Sequence, residues 1–240
     1  MIATRKGGMA VREGDKLAGM RVIPLIIEEE KLRKAEQAAG DKPLLSLKPY
    51  VRKTACIVAT GGEVKKGLIK DTFTPVVIDK LKTYGIETLE VVYSGDGVEN
   101  VRDAVLTMRE KKPDMILCTG GMSVDPDDNT PGGIKAAGAN IIVYGAPVLP
   151  GAMFLLGYFD DGMPVMGLPG CVMYAGATVF DLVLPKIAAD VPSHARISRR
   201  SAKAGYAWVQ AVPLSPVSVW KIKSCACGRD ILDHRYLFEE

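Results

Sequence analysis

From residue 54 onward the chain alternates short apolar runs with helix-period segments, and this alternation constrains its fold more than any other feature. Residues 54–60 (TACIVAT) are small or β-branched and stop abruptly at Gly61-Gly62, which reads as a buried strand. Phe73, Val77, Leu81 and Tyr84 then recur at helical spacing, with Pro75 tolerated in the first turn. Residues 88–93 predict a second strand. Val98, Val101, Val105 and Met108 predict a second helix that ends before Pro113. Residues 114–118 (DMILC) predict a third strand running into Thr119-Gly120-Gly121. Strands joined through such helices imply right-handed crossovers and a mostly parallel sheet. The expected fold class is therefore α/β, a three-layer α/β/α arrangement whose ligands lie outside the carboxyl ends of the strands.

The first fifty residues follow another pattern. Residues 21–27 read as a strand and 28–39 as a charged helix with Leu32, Ala35 and Ala39 on one face, stopped by Gly40. Pro43 and Pro49 then make a linker. The expected organisation is a strand-helix extension at 1–50, a main domain at 51–190 and a tail at 191–240. Residues 141–159 carry no charge and are long enough to span a bilayer. Gly145, Pro147, Pro150, Gly151 and Gly157 would break a lipid-exposed helix, so buried strand and loop structure is expected there and no membrane partner.

Composition narrows the function classes. With 48% hydrophobic and 25% charged residues the chain has material for a sizeable core. A net charge of +3 is too small to imply nucleic acid, and the basic stretch at 194–203 reads as a solvated tail. Five cysteines and no apolar leader in the first twenty residues point to free thiols and a cytoplasmic protein.

Two predicted strands end in a double glycine, Gly61-Gly62-Glu63 and Gly120-Gly121-Met122-Ser123. Such glycines either let backbone N–H groups approach a phosphate or simply form a tight turn. The cluster Asp125-Pro126-Asp127-Asp128 is more informative, because three carboxylates in four residues repel one another. They suit Mg²⁺ held against a phosphate, or activation of a hydroxyl. One of them, or Thr130, would also cap a helix starting near Pro131.

In order along residues 54–189, these pieces resemble the molybdopterin-binding domain shared by the MogA/MoaB-type and MoeA-type proteins of molybdenum-cofactor synthesis. The matching pieces are TGGEV at 60–64, GLIKDT at 67–72, Gly95-Asp96-Gly97, DMILCTGGMSV at 114–124, DDNTP at 127–131, PGAM at 150–153 and LPGCV at 168–172. The resemblance implies the molybdopterin-binding fold, with strand-end loops holding the pterin and its phosphate. Carried over, Thr60, Gly61, Gly62, Glu63, Thr119, Gly120, Gly121, Ser123, Pro169 and Gly170 are expected to bind the ligand. Asp128 and Asp71 are the expected catalytic carboxylates, with Asp127 and Asp128 as the Mg²⁺ ligands. The resemblance also implies molybdopterin as ligand, ATP or AMP alongside it, a homodimer or homotrimer, and other molybdenum-cofactor proteins as partners.

Departures from the pattern keep three readings open. Cys171-Val172 stand where the family turn reads Asn-Pro, and Ala152 stands where MoeA-type proteins carry a lysine. Cys171 reads as a small buried hydrophobe or as a thiol with lowered pKa. CinA-type nucleotide hydrolases share the fold, and Asp127, Asp128 and Thr130 fit their loop, whereas Ser123 and LPGCV do not. The chain is thus expected to be an adenylyl- or molybdenum-transferase, a metal-dependent nucleotide pyrophosphatase, or a non-catalytic molybdopterin carrier or sensor. The tail from Gly205 fits no periodic element. Shifting the frame across residues 212–223 by one base can yield His-Pro-Cys, then Phe-Gly-Lys and a stop. Residues after about 205 are therefore expected to come from a shifted frame, leaving Cys225 and Cys227 without an evolved role.

Overall fold

Short apolar triplets flanked by turns open the chain: β1 (Ile2–Thr4), β2 (Met9–Val11) and β3 (Ala18–Met20). The computed structural model describes residues 2–21, 23, 26–41, 43, 45–123, 125, 128–191 and 236–239. Helix α1 (Glu29–Ala39) follows and is braced by two ion pairs at four-residue spacing, Glu29 with Arg33 and Glu30 with Lys34. It stops at Gly40, whose φ of 65° suits a residue without Cβ. No strand occupies the described residues of 21–27. The strand lies just before them, because residues 18–20 pair antiparallel with β1. The expected linker likewise carries a strand, β4 (Ser46–Pro49).

Two compact units result, Met1–Pro49 with Val212–Glu240, and Tyr50–Ala211. In the second, the apolar run becomes β5 (Thr54–Thr60), with Ala55 to Ala59 all buried. There follow α2 (Gly62–Lys65), α3 (Phe73–Lys82), β6 (Glu87–Ser94), α4 (Val98–Glu110), β7 (Met115–Thr119) and α5 (Thr130–Ala136). The uncharged stretches supply β8 (Asn140–Tyr144), β9 (Leu155–Tyr158), β10 (Pro164–Leu168) and a 3₁₀ turn at Gly170–Met173, before α6 (Val179–Ala188). In the first unit, β11 (Tyr236–Glu239) pairs antiparallel with both β2 and β4. The remaining tail, with the basic stretch at 194–203, Cys225 and Cys227, lies outside the described residues.

The six strands of the main sheet run in the order β6-β5-β7-β10-β9-β8. β6, β5, β7 and β10 are parallel to one another, and only β9 runs against them, so β8 points the same way as β10. The chain moves from β5 outward to β6 through α3, then back past β5 to β7 through α4. With right-handed crossovers, these opposite moves put α3 and α4 on opposite faces. On the α4 face, Val101, Val105 and Met108 pack with Ile134 of α5 against Cys56, Val58, Ile116 and Cys118. The alternate strand residues Ala55, Ile57, Met115 and Leu117 are equally buried toward the α3 face. Each fully buried Ile or Leu there stabilises the fold by about 1.5–3 kcal/mol. Helix α6 is clamped to α3 by a largely buried ion pair, Lys80 Nζ to Asp181 Oδ1 at 2.6 Å, and Asp181 also closes a capping box with Thr178.

Asp114 fastens the amino ends of these strands. Its Oδ2 accepts hydrogen bonds from Lys53 N (2.7 Å), Thr54 N (2.9 Å) and Thr54 Oγ1 (2.9 Å). Burial pushes this carboxyl up, but those donors and the Arg52 charge outweigh it and hold the group below its ordinary value. At the opposite, carboxyl ends of β5 and β7 the chain enters the two glycine loops. No helix among the described residues is long and apolar enough to cross a membrane.

Candidate functional site

The strand order reverses between β5 and β7, and there the two glycine loops meet. Thr60 ends β5 and Thr119 ends β7, and Thr60 Oγ1 donates to Thr119 O at 2.8 Å. Thr130, fully buried at the start of α5, donates its hydroxyl to Gly120 O at 2.8 Å and lies 3.2 Å from Thr60 Oγ1. Its N–H reaches Gly121 O at 3.3 Å. Three hydroxyl-bearing residues thus knot the loop after β7 to the end of β5. The sequence offered Thr130 or an aspartate as a helix cap, but α5 has no side-chain cap and the Thr130 hydroxyl is spent on the glycine loop.

This knot explains why glycine stands at 120. Its φ is +80°, and a Cβ there would lie 2.3 Å from the Thr60 carbonyl oxygen and 2.7 Å from Thr60 Oγ1. A Cβ at Gly121 would meet Thr130 Oγ1 at 2.8 Å. The two glycine pairs differ in what their donors do. Gly61 N–H donates to Ser94 O (3.2 Å) and Gly62 N–H to Asp96 Oδ2 (3.0 Å), so both are committed. Among the described residues, no acceptor stands against the N–H groups of Gly121 and Met122. Among the described residues, unspent backbone donors therefore lie at Gly121 and Met122 in the second glycine pair's loop, whereas after β5 they begin only beyond the glycines, at Glu63 and Val64.

The carboxylates divide in the same way. Asp71 Oδ1 accepts from Phe73 N (2.9 Å) and Thr74 N (3.0 Å), and Oδ2 from Tyr93 OH (3.1 Å), so it fixes the first turn of α3. Burial raises its carboxyl, but the donors, Thr74 foremost and then Phe73 and Tyr93, hold it below the usual carboxylate range. Burial and the Asp71 bond push the Tyr93 phenol up, so it stays a neutral donor. Asp125 is exposed, with Ser123 Oγ 3.5 Å from its Oδ2, and Asp128 N–H donates to Asp125 O at 3.0 Å. Asp128 is half-buried, and Asp127 lies outside the described residues together with Val124 and Pro126. Among the described residues, no group of three or more His, Cys, Asp or Glu stands close enough together to hold a metal ion.

β10 ends in the same region, where Pro169 is buried and Gly170 is exposed, with no atom within 4 Å of a Cβ placed on Gly170. Glu63 is exposed in α2. Cys171 is partly buried in the 3₁₀ turn, and burial pushes its thiol up rather than down, as for a packing residue. One contact gives a role to the Gly95-Asp96-Gly97 turn marked in the sequence, and the other has no signal in the linear pattern. Asp96 closes the first glycine turn, and Tyr144, at the end of β8, directs its hydroxyl to Ser123 O at 3.4 Å. Burial and the Asp128 charge raise the Tyr144 phenol. Its neighbourhood depends on antiparallel pairing of β8 and β9, which periodicity cannot reveal.

A family model described as a probable molybdopterin binding domain matches residues 56–189. The CinA-like protein of Mycobacterium tuberculosis is 33% identical over 76 residues, covering 32% of this chain and 18% of that protein. The CinA-like protein of Petrotoga mobilis is 32% identical over 76 residues, covering 32% and 19%. The chain thus spans less than a fifth of these curated relatives. Among solved structures, the protein CinA of Thermoplasma acidophilum matches with TM-score 0.49 and 18% identity, over 57% of this chain and 98% of that one. The molybdopterin biosynthesis enzyme MoaB of Thermus thermophilus matches with TM-score 0.47 and 18% identity, over 56% and 91%.

Proposed function

The chain belongs to the family of probable molybdopterin-binding domains, and from that premise we propose that it binds molybdopterin, or its adenylylated form, at the carboxyl ends of β5, β7 and β10. The observation that carries this reading is the loop after β7, knotted to β5 and, among the described residues, left with unspent N–H donors at the point where the strand order reverses. A phosphate there meets donors that need not first be freed. At Gly61-Gly62 an anion would have to displace the Asp96 carboxylate, so Thr60 to Glu63 serve as the wall of the site. Thr119, Gly120, Gly121 and Ser123 form its floor, and the exposed Gly170 beside Pro169 its far side.

Proton transfer falls to Asp128 in this reading, a role supported by its half-buried position and by its charge being felt at Tyr144. Asp71 acts as a positioning residue, since both its oxygens are engaged in holding α3 and Tyr93. Mg²⁺ characteristically takes one or two carboxylates and completes its shell with water and phosphate oxygens. Asp128, with Asp127, would hold it in company with the ligand's phosphate. We place the protein in the cytoplasm, as a homodimer or homotrimer working with other molybdenum-cofactor proteins.

A second reading, cleavage of a nucleotide pyrophosphate, draws support from the 76-residue likeness to CinA-like proteins. Calorimetric titration with molybdopterin, run beside assays for pyrophosphate release from ATP and for ADP-ribose cleavage, separates the readings. Wild type is expected to bind molybdopterin saturably, and Asp128→Ala to release no pyrophosphate. Pterin binding with pyrophosphate release identifies adenylyl transfer, and binding without turnover identifies a carrier. ADP-ribose cleavage without pterin binding overturns the proposal.

A further inference from the structure

Tyr144 stands at the level of the site although it belongs to the far edge of the sheet. The register runs from Tyr144 to Leu155, from Leu155 to Gly167 and from Gly167 to Cys118, one residue short of Thr119. Because β8 points the same way as β10, its carboxyl end faces the same crevice as the glycine loops. The hydroxyl is directed at Ser123 O, 3.4 Å away, and Asp128 is near enough for its charge to be felt at the phenol. The strand beneath is tied to the loop at 151–154, with Gly145 N–H donating to Phe154 O (3.0 Å) and Ala146 N–H to Ala152 O (2.6 Å).

With its hydroxyl directed at the loop, Tyr144 still leaves much of its surface to solvent. The residue is 45% exposed and touches a loop whose Gly121 and Met122 N–H groups have no acceptor among the described residues. A tyrosine has two side-chain torsions, and a directed hydroxyl restricts both, so little entropy is lost when a flat group lies on the ring. A ligand matching both features carries a phosphate and a planar heterocycle on one molecule.

We propose that Tyr144 is a stacking platform for the planar heterocycle of a phosphorylated ligand, the specificity-determining residue on the β8 side of the cleft. This inference rests on the ligand reading given above and names which part of the ligand Tyr144 recognises. Pterin and adenine share the required chemistry, and the experiment separates them.

The test titrates wild type, Tyr144→Phe and Tyr144→Ala with molybdopterin, AMP and inorganic pyrophosphate, after circular dichroism establishes that all three proteins fold. Stacking on an aromatic side chain predicts that Tyr144→Ala weakens the heterocyclic ligand by about tenfold, whereas Tyr144→Phe stays within about twofold. Pyrophosphate, which has no ring, is expected to bind all three equally. A loss confined to molybdopterin assigns the ring to pterin, and a loss confined to AMP assigns it to adenine. Equal binding of the heterocycles by wild type and Tyr144→Ala overturns the inference while leaving the ligand reading intact. A matching loss for pyrophosphate also overturns it, because Tyr144 would then act only by holding the loop. If wild type binds neither heterocycle, the ligand reading fails first and this inference with it.

Discussion

Gly120→Ala should uncouple the two strand-end loops, at a cost that can be worked from the geometry. Placing alanine at φ +80° costs about 1–2 kcal/mol for the left-handed backbone alone. The new Cβ would lie 2.3 Å from the Thr60 carbonyl oxygen and 2.7 Å from its Oγ1. Neither atom is a flexible tip, because the carbonyl is backbone and Oγ1 is bonded to Thr119 O. Relieving such overpacking costs about 1–3 kcal/mol more, so the total is roughly 2–5 kcal/mol against a stability of about 5–15 kcal/mol for an ordinary domain. Gly138→Ala provides the control, since Gly138 has φ +92° but nothing within 4 Å of its Cβ position. It should lose only the backbone part, about 1–2 kcal/mol. Urea denaturation of both variants reads the difference as a shift in midpoint at unchanged slope. Gly120→Ala should be the less stable by about 1–3 kcal/mol, and its affinity for any strand-end ligand should fall as well. Equal destabilisation of the two variants, or none at 120, would refute the claim that this glycine exists to let the loops interlock.

Other expectations follow from the same structure. Gly170→Ala meets no atom and should leave stability within about 0.5 kcal/mol, while molybdopterin titration should show weakened binding at the exposed turn after β10. Asp114 has a lowered carboxyl, so its stabilisation is complete above the unfolded value of about 3.9 and is lost as pH falls through the folded one. Stability measured from pH 6 to pH 2 should therefore drop below about pH 4, and Asp114→Asn should be less stable near neutrality with a flatter acid limb. Cys118 is buried with its thiol pushed up to about 12, so mass-mapped alkylation should leave it unmodified until urea unfolds the chain. The coding DNA across residues 212–223 tests the shifted frame: a one-base shift should give Phe-Gly-Lys and a stop, and its absence sinks that proposal.

The central α/β pattern was readable because it rests on local physics. Small and β-branched runs ending at glycine became β5 and β7, and the residues at helical spacing became the buried faces of α3 and α4. The extension was less legible, since β3 depends on pairing with β1 and β4 on pairing with β11, neither of which hydropathy encodes. At the site, sequence marked both glycine pairs alike. Only tertiary contacts distinguish them, through Asp96 closing the first pair and Thr60 with Thr130 knotting the second. Asp71 is marked as catalytic only by the family resemblance, and the linear pattern does not carry the contacts its oxygens make with Phe73, Thr74 and Tyr93. Tyr144 gave no signal because its strand reaches the crevice only by antiparallel pairing at the sheet edge.

Hydrogen exchange of the intact protein with and without molybdopterin tests the central claim most directly, because it asks where the ligand sits. The account predicts slowed exchange at the Gly121 and Met122 amides, with lesser protection around Gly170 and little change at Gly61 and Gly62, whose N–H groups are already bonded. Protection elsewhere on the sheet, or none at saturating ligand, would contradict it.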